Sequence, residues 1–130
     1  LPPAHGPPPR PEPVSFNSTF SSYAVLQRAP AKSAVYGVCG TPADGSTFSD
    51  QEISVDIAGT TGDGSLHSYA VPATVGADGS WMAYLAVEAT GGDFTVTATC
   101  TKGCANTTVA TLEHVTFGDV WYCAGQYVQR

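Results

Sequence analysis

Over residues 14–117 hydrophobic side chains recur at every second position in short runs. Ile53, Val55 and Ile57 alternate with Ser54 and Asp56, Tyr69 and Val71 stand two apart, and Trp81, Ala83 and Leu85 oppose Met82, Tyr84 and Ala86. Over residues 94–101 the apolar positions Phe94, Val96, Ala98 and Cys100 fall on one face and four threonines on the other. A period of two gives a strand one dry and one wet face, and β-branched threonine suits the wet one. Turn-forming stretches at 44–46, 62–64, 77–79 and 91–93, each holding Gly and Asp, separate the runs at the spacing of a sandwich. Good helix formers are scarce, with 5 Leu, 4 Glu, 2 Lys and 1 Met, and no stretch repeats at 3, 4 and 7. The pattern predicts an all-β fold: one antiparallel β-sandwich of immunoglobulin or jelly-roll kind over residues 14–117.

The stretch before it differs. Seven of the ten prolines fall in residues 1–13, which predicts an extended polyproline tail without strands. At 130 residues the chain has room for one ordinary domain and not for an additional full α/β enzyme domain. The formal net charge of −6 argues against nucleic acid and anionic membrane surfaces, both of which are bound through clustered cations. No apolar run reaches the ~20 residues of a membrane-spanning helix. The chain begins with Leu1 and carries no apolar leader, so the reading expects a removed targeting segment or a piece of a longer chain.

Four cysteines accompany two sequons, Asn17-Ser18-Thr19 and Asn106-Thr107-Thr108. An even cysteine count beside candidate glycosylation sites at Asn17 and Asn106 favours the secretory route, with a secreted or lysosomal destination. Cys100 and Cys104 flank the turn Thr101-Lys102-Gly103 and suit a bridge across it. Cys39 and Cys123 are left as buried thiols or a second bridge, and all three connectivities stay open. No second close cysteine pair or local histidine completes a zinc set, so neither a metal nor another cofactor is expected.

Two segments carry a family resemblance. Tyr23-Ala24-Val25-Leu26-Gln27-Arg28-Ala29-Pro30-Ala31-Lys32-Ser33-Ala34-Val35-Tyr36-Gly37 and Val115-Thr116-Phe117-Gly118-Asp119-Val120-Trp121-Tyr122-Cys123-Ala124-Gly125-Gln126 resemble the sialate O-acetylesterase family of carbohydrate esterases. In that family the first block opens a small β-domain and the second leads into an SGNH-type hydrolase domain. Residues 81–85 and 91–94 resemble the last β-domain strands more loosely. The resemblance implies hydrolysis of O-acetyl esters on sialic acid through an acylated serine, and an O-acetylated sialic acid or other acetylated glycan as partner. It also implies that residues 118–130 are the truncated start of a hydrolase domain.

The likeness ends where the chemistry would begin. The family's nucleophilic serine follows Gly-Gln; here Tyr127 follows Gly125 and Gln126. A phenol oxygen stands several ångströms further from the backbone than a serine hydroxyl, its ring fills space meant for substrate, and its ordinary pKa of about 10 demands an activating base. The family's triad Asp and His lie downstream of this motif. The remnant comprises Gly118, Asp119, Trp121, Gly125 and Gln126. Asp119 is expected to be structural, accepting backbone N–H bonds where the chain changes direction. Gly125 suits a sharp turn that would expose a nucleophile.

His5 lies in the proline-rich tail, His67 begins a strand, and His114 precedes Val115; none is placed by sequence as the base of a triad. Trp81, Trp121, Tyr36 and Tyr84 could stack on sugars, but filling the core or a domain seam is the favoured reading. The expected role is therefore that of an inactive amino-terminal fragment or truncated form of a sialate O-acetylesterase-like protein, with a non-catalytic carbohydrate-binding or interaction module as the alternative. The sequence assigns no oligomeric state.

Overall fold

The computed structural model describes residues 12–86, 88–106, 108–123 and 126–129, with backbone only for 120–123 and 126–129. The strands are β1 (Ser15–Phe16), β2 (Val25–Gln27), β3 (Ala34–Val38), β4 (Glu52–Thr60), β5 (Leu66–Pro72), β6 (Thr74–Val75), β7 (Ser80–Tyr84), β8 (Gly91–Lys102), β9 (Val109–Gly118), β10 (Val120–Cys123) and β11 (Gln126–Gln129). A single 3-10 turn, Phe48–Asp50, is the only helical element among the described residues.

Two sheets face one another, in the orders β1-β3-β7-β6 and β2-β9-β8-β4-β5, and β10 pairs with β11 in a separate two-stranded ladder. This order is that of the immunoglobulin sandwich, with its first strand divided between the sheets as β1 and β2. The expected antiparallel pattern holds except at β2, which runs parallel to β9. The chain leaves β1, crosses to the opposite sheet and keeps its direction, so it meets the last sandwich strand running the same way.

The period-two reading places the core correctly. Ile53, Val55 and Ile57 of β4, Trp81 and Ala83 of β7, and Phe94, Val96, Ala98 and Cys100 of β8 are all buried, joined by Val35, Leu85, Val115 and Phe117. Each large aliphatic or aromatic side chain so buried contributes about 1.5–3 kcal/mol. Phe94 meets Phe117 edge-on at 5.3 Å and Phe16 meets Trp81 at 5.5 Å, tying inner faces together.

Most turn signals sit where the chain reverses. Asp63 accepts the Thr61 hydroxyl and the Ser65 N–H, and these bonds lower its carboxyl to about 2. Asp78 likewise accepts the Ser80 hydroxyl at 2.7 Å and N–H at 3.0 Å, which lower its carboxyl. The expected turn at 91–93 is instead the irregular start of β8. Gly91 and Gly92 take φ of 96° and 89°, where a side chain is strained, and the ladder to β9 shifts register between Gly91 and Phe94.

Of the proline-rich tail, residues 1–11 lie outside the described residues. Glu12 is pinned to Thr41, its N–H donating to Thr41 Oγ1 at 2.7 Å and its carbonyl accepting from Thr41 N at 3.0 Å. Cys100 and Cys104 form the bridge expected across the β8–β9 turn, and Cys39 is a buried free thiol.

Candidate functional site

The two resembling segments, far apart in sequence, are neighbours in space. Val25, Leu26 and Gln27 of β2 pair in parallel with Thr116, Phe117 and Gly118 of β9. Leu26 and Phe117 are buried, so the pairing is anchored in the core. Ala24 O accepts from Thr116 N at 3.1 Å, and Gly118 O accepts from Arg28 N at 3.0 Å.

The ladder ends in a charged clamp. Arg28 Nε donates to Asp119 Oδ1 at 2.9 Å, and Arg28 Nη1 donates to Ala29 O at 2.9 Å. Both side chains of the ion pair are about two-fifths exposed, so the pair positions more than it stabilises. Among the described residues the side-chain donor to Asp119 is this guanidinium. Ala29 N donates to Glu88 O at 2.6 Å, and Ser33 Oγ donates to Gln27 O at 2.8 Å, fixing the turn after β2 from two sides. Immediately after Asp119 the chain enters β10, which pairs with β11: Trp121 stands opposite Val128, Tyr122 opposite Tyr127 and Cys123 opposite Gln126. The expected nucleophile position, Tyr127, therefore lies within a ladder. Gly125 lies outside the described residues, as do the side chains of Trp121, Cys123, Gln126 and Tyr127.

Both sandwich histidines are held by carboxylates. His67 Nε2 lies 3.2 Å from Glu88 Oε2, in poor alignment for a hydrogen bond, and that buried oxygen has no other partner among the described residues. Tyr69 belongs to the same cluster: its hydroxyl accepts from Ala86 N at 3.2 Å, and burial first, then the Glu88 charge, raise its phenol well above the ordinary value. His114 Nδ1 is 3.2 Å from Asp93 Oδ1, and its ring stacks on Tyr23 at 4.8 Å. Tyr23 and His114 both take positive φ, of 70° and 56°. No serine hydroxyl bonds either imidazole among the described residues, so the geometry assembles no Ser-His-carboxylate relay there. No cluster of three metal-binding side chains occurs among the described residues, and no helix among them is long and apolar enough to cross a membrane.

The aromatic candidates divide. Trp81 is 1% exposed and its indole N–H is shared between Ser15 O and Val38 O, each at 3.2 Å. It is a core residue, unable to stack on a sugar. Tyr36 packs edge-on against Phe20 at 4.9 Å and is half-buried, whereas Tyr84 is 62% exposed on the outer face of its sheet. The sequence reading overlooked Arg28 and Glu88. Arg28 carried a usable signal, being the one arginine between residues 12 and 129 and lying inside a resembling block. Glu88 carried none, because its burial depends on strands distant in sequence.

No protein-family model and no curated protein matches the chain. Among solved structures it is similar to the crystal structure of XAC1771, a novel carbohydrate acetylesterase from Xanthomonas citri, at 25% identity and a TM-score of 0.55, over 84% of this chain and 20% of that one. The chain thus spans about a fifth of that structural neighbour, which is a carbohydrate acetylesterase.

Proposed function

We propose that this chain is the β-sandwich accessory module of a carbohydrate O-acetylesterase, of sialate O-acetylesterase type, that travels the secretory route. Its work is mechanical. The sandwich holds the strand leading to the hydrolase segment in fixed register, and the hydrolase domain of such a protein supplies the attacking serine and its base. The observation that carries this reading is the parallel splice of β2 onto β9, ended by Arg28 on Asp119. It joins the two segments that resemble the family at the point where the chain leaves the sandwich. The structural likeness to a carbohydrate acetylesterase supports the same class.

In this reading the substrate is an acetyl ester of a sugar hydroxyl, with O-acetylated sialic acid as the specific proposal. Residues 118–130 are the start of the hydrolase domain, and the sandwich by itself transfers no acyl group. An assay of the purified 130-residue chain with a chromogenic acetyl ester tests it. The expected rate equals that of buffer. Turnover that Tyr127→Phe abolishes would overturn the reading, because it would place a nucleophile inside this chain. Grafting the chain onto a hydrolase domain of the family is the complementary test: deacetylation of O-acetyl sialic acid should depend on Arg28 and Asp119.

A further inference from the structure

The outer face of the β1-β3-β7-β6 sheet is unusually apolar for a surface. Val38 is 54% exposed, Met82 40% and Tyr84 62%. With Tyr36 they line an open hollow of about 570 Å³, none of whose lining residues is charged. A hollow of that size falls in the range of small-ligand sites, and its uncharged lining suits a neutral occupant.

Asn17, the first residue of a sequon, lies at the rim of this hollow. Its N–H donates to Tyr36 O at 2.9 Å, which continues the β1–β3 ladder by one residue and sets Asn17 beside Tyr36. Tyr36 in turn pairs with Met82, and Met82 with Thr74. Asn17, Tyr36, Met82 and Thr74 thus form one row across the sheet. With strands ~4.8 Å apart, Met82 stands about 10 Å from Asn17, the length of a disaccharide. Asn17 Oδ1 accepts from Thr19 N at 3.0 Å. This turn folds the sequon back on itself and commits the oxygen of the carboxamide, leaving Nδ2 as the atom to be modified.

We propose that Asn17 carries an N-linked glycan whose first two sugars lie along this row and cover Tyr36, Met82 and Tyr84. In the attachment step Nδ2 attacks the anomeric carbon of an oligosaccharide carried on a lipid diphosphate. The C–N bond forms, the carbon–oxygen bond to the diphosphate breaks, the lipid diphosphate leaves with the electron pair, and the amide proton passes to the transferring enzyme's base. The C–H faces of the first sugars then stack on the tyrosines, and their acetamide methyl groups pack on Met82 and Val38. The second sequon offers an internal control: Asn106 is exposed and lies outside the hollow. The occupant is tethered, so its effective concentration over the face needs little intrinsic affinity.

The test uses the chain secreted from eukaryotic cells, with tyrosine nitration by tetranitromethane mapped by peptide mass. The expected result is a glycopeptide containing Asn17 and several-fold slower nitration of Tyr84 than in the same protein after enzymatic deglycosylation. Asn106→Gln should leave that protection unchanged. An unmodified Asn17, or equal nitration of Tyr84 with and without the glycan, overturns the proposal. So does protection of the deglycosylated chain that grows with protein concentration, which would assign the face to a second copy. Deglycosylation is performed on folded protein, so the comparison stands even where Asn17→Gln fails to fold.

Discussion

Arg28 and Asp119, separated by 91 positions, meet through Nε and Oδ1 at 2.9 Å at the end of the only parallel pairing in the described sandwich. The contact joins the turn after β2 to the residue between β9 and β10. It therefore limits the angle at which the terminal two-stranded ladder departs from the sheets.

Such a pair should matter more for direction than for stability. Both partners are partly exposed, and a charge-assisted bond in that setting contributes about 0.5–1 kcal/mol. A double-mutant cycle of Arg28→Ala and Asp119→Ala in urea should return a coupling of about that size. Amide exchange of residues 120–123 and 126–129 should accelerate in either single variant far more than exchange of β4 or β8. Equal acceleration throughout would show that the clamp acts on the sandwich as a whole and not on the departing ladder.

Trp81 illustrates how an aromatic residue weighed for sugar binding can be a core residue. Its ring touches Phe16 and its N–H reaches two carbonyls, one on β1 and one on β3. Trp81→Ala should cost about 3–5 kcal/mol, the range for deleting a buried aromatic. Trp81→Phe should cost less, chiefly by leaving Ser15 O and Val38 O without their donor. Unfolding in guanidinium chloride followed by far-ultraviolet circular dichroism measures both. A loss below about 1 kcal/mol for the alanine variant would contradict the burial described here.

The core was readable from the sequence because period two is a local property. Whether Ile57 or Val96 points inward follows from its immediate neighbours. The glycines at 91 and 92 misled because the same freedom that builds a turn also builds a bulge, and only the partner strand decides between them. The clamp was not readable in full: Asp119 was identified as structural, but its partner is brought in by a parallel pairing, which leaves no periodic trace. The Glu88 cluster is of the same kind, since β5 and the segment after β7 meet only in the folded chain.

Cys39 is the described free thiol, and it is 3% exposed. Burial, and secondarily the charge of Asp78, push its thiol above the ordinary value, which suppresses the reactive thiolate. Iodoacetamide at neutral pH should leave Cys39 unlabelled in the native chain and label it fully in denaturant. Across a urea series its labelling rate should follow the opening of the sandwich. Prompt native labelling at Cys39, mapped by peptide mass, would mean that the thiol is accessible.

Tyr69 should impose an alkaline limit on stability. Its phenol is raised by burial and then by the Glu88 carboxylate, so the folded chain holds this proton more tightly than the unfolded chain does. Below about pH 10, the ordinary phenol value, both states are protonated and the contribution is fully present. Above it the unfolded state releases the proton first and stability falls with rising pH, by at most about 1.4 kcal/mol per pH unit from this group. Tyr69→Phe removes the titration while keeping the ring. Its stability between pH 9 and pH 11 should therefore decline less steeply than that of the unmodified chain, the difference being read from paired urea titrations. Parallel slopes for the two proteins would show that the Tyr69 phenol is not raised in the folded state.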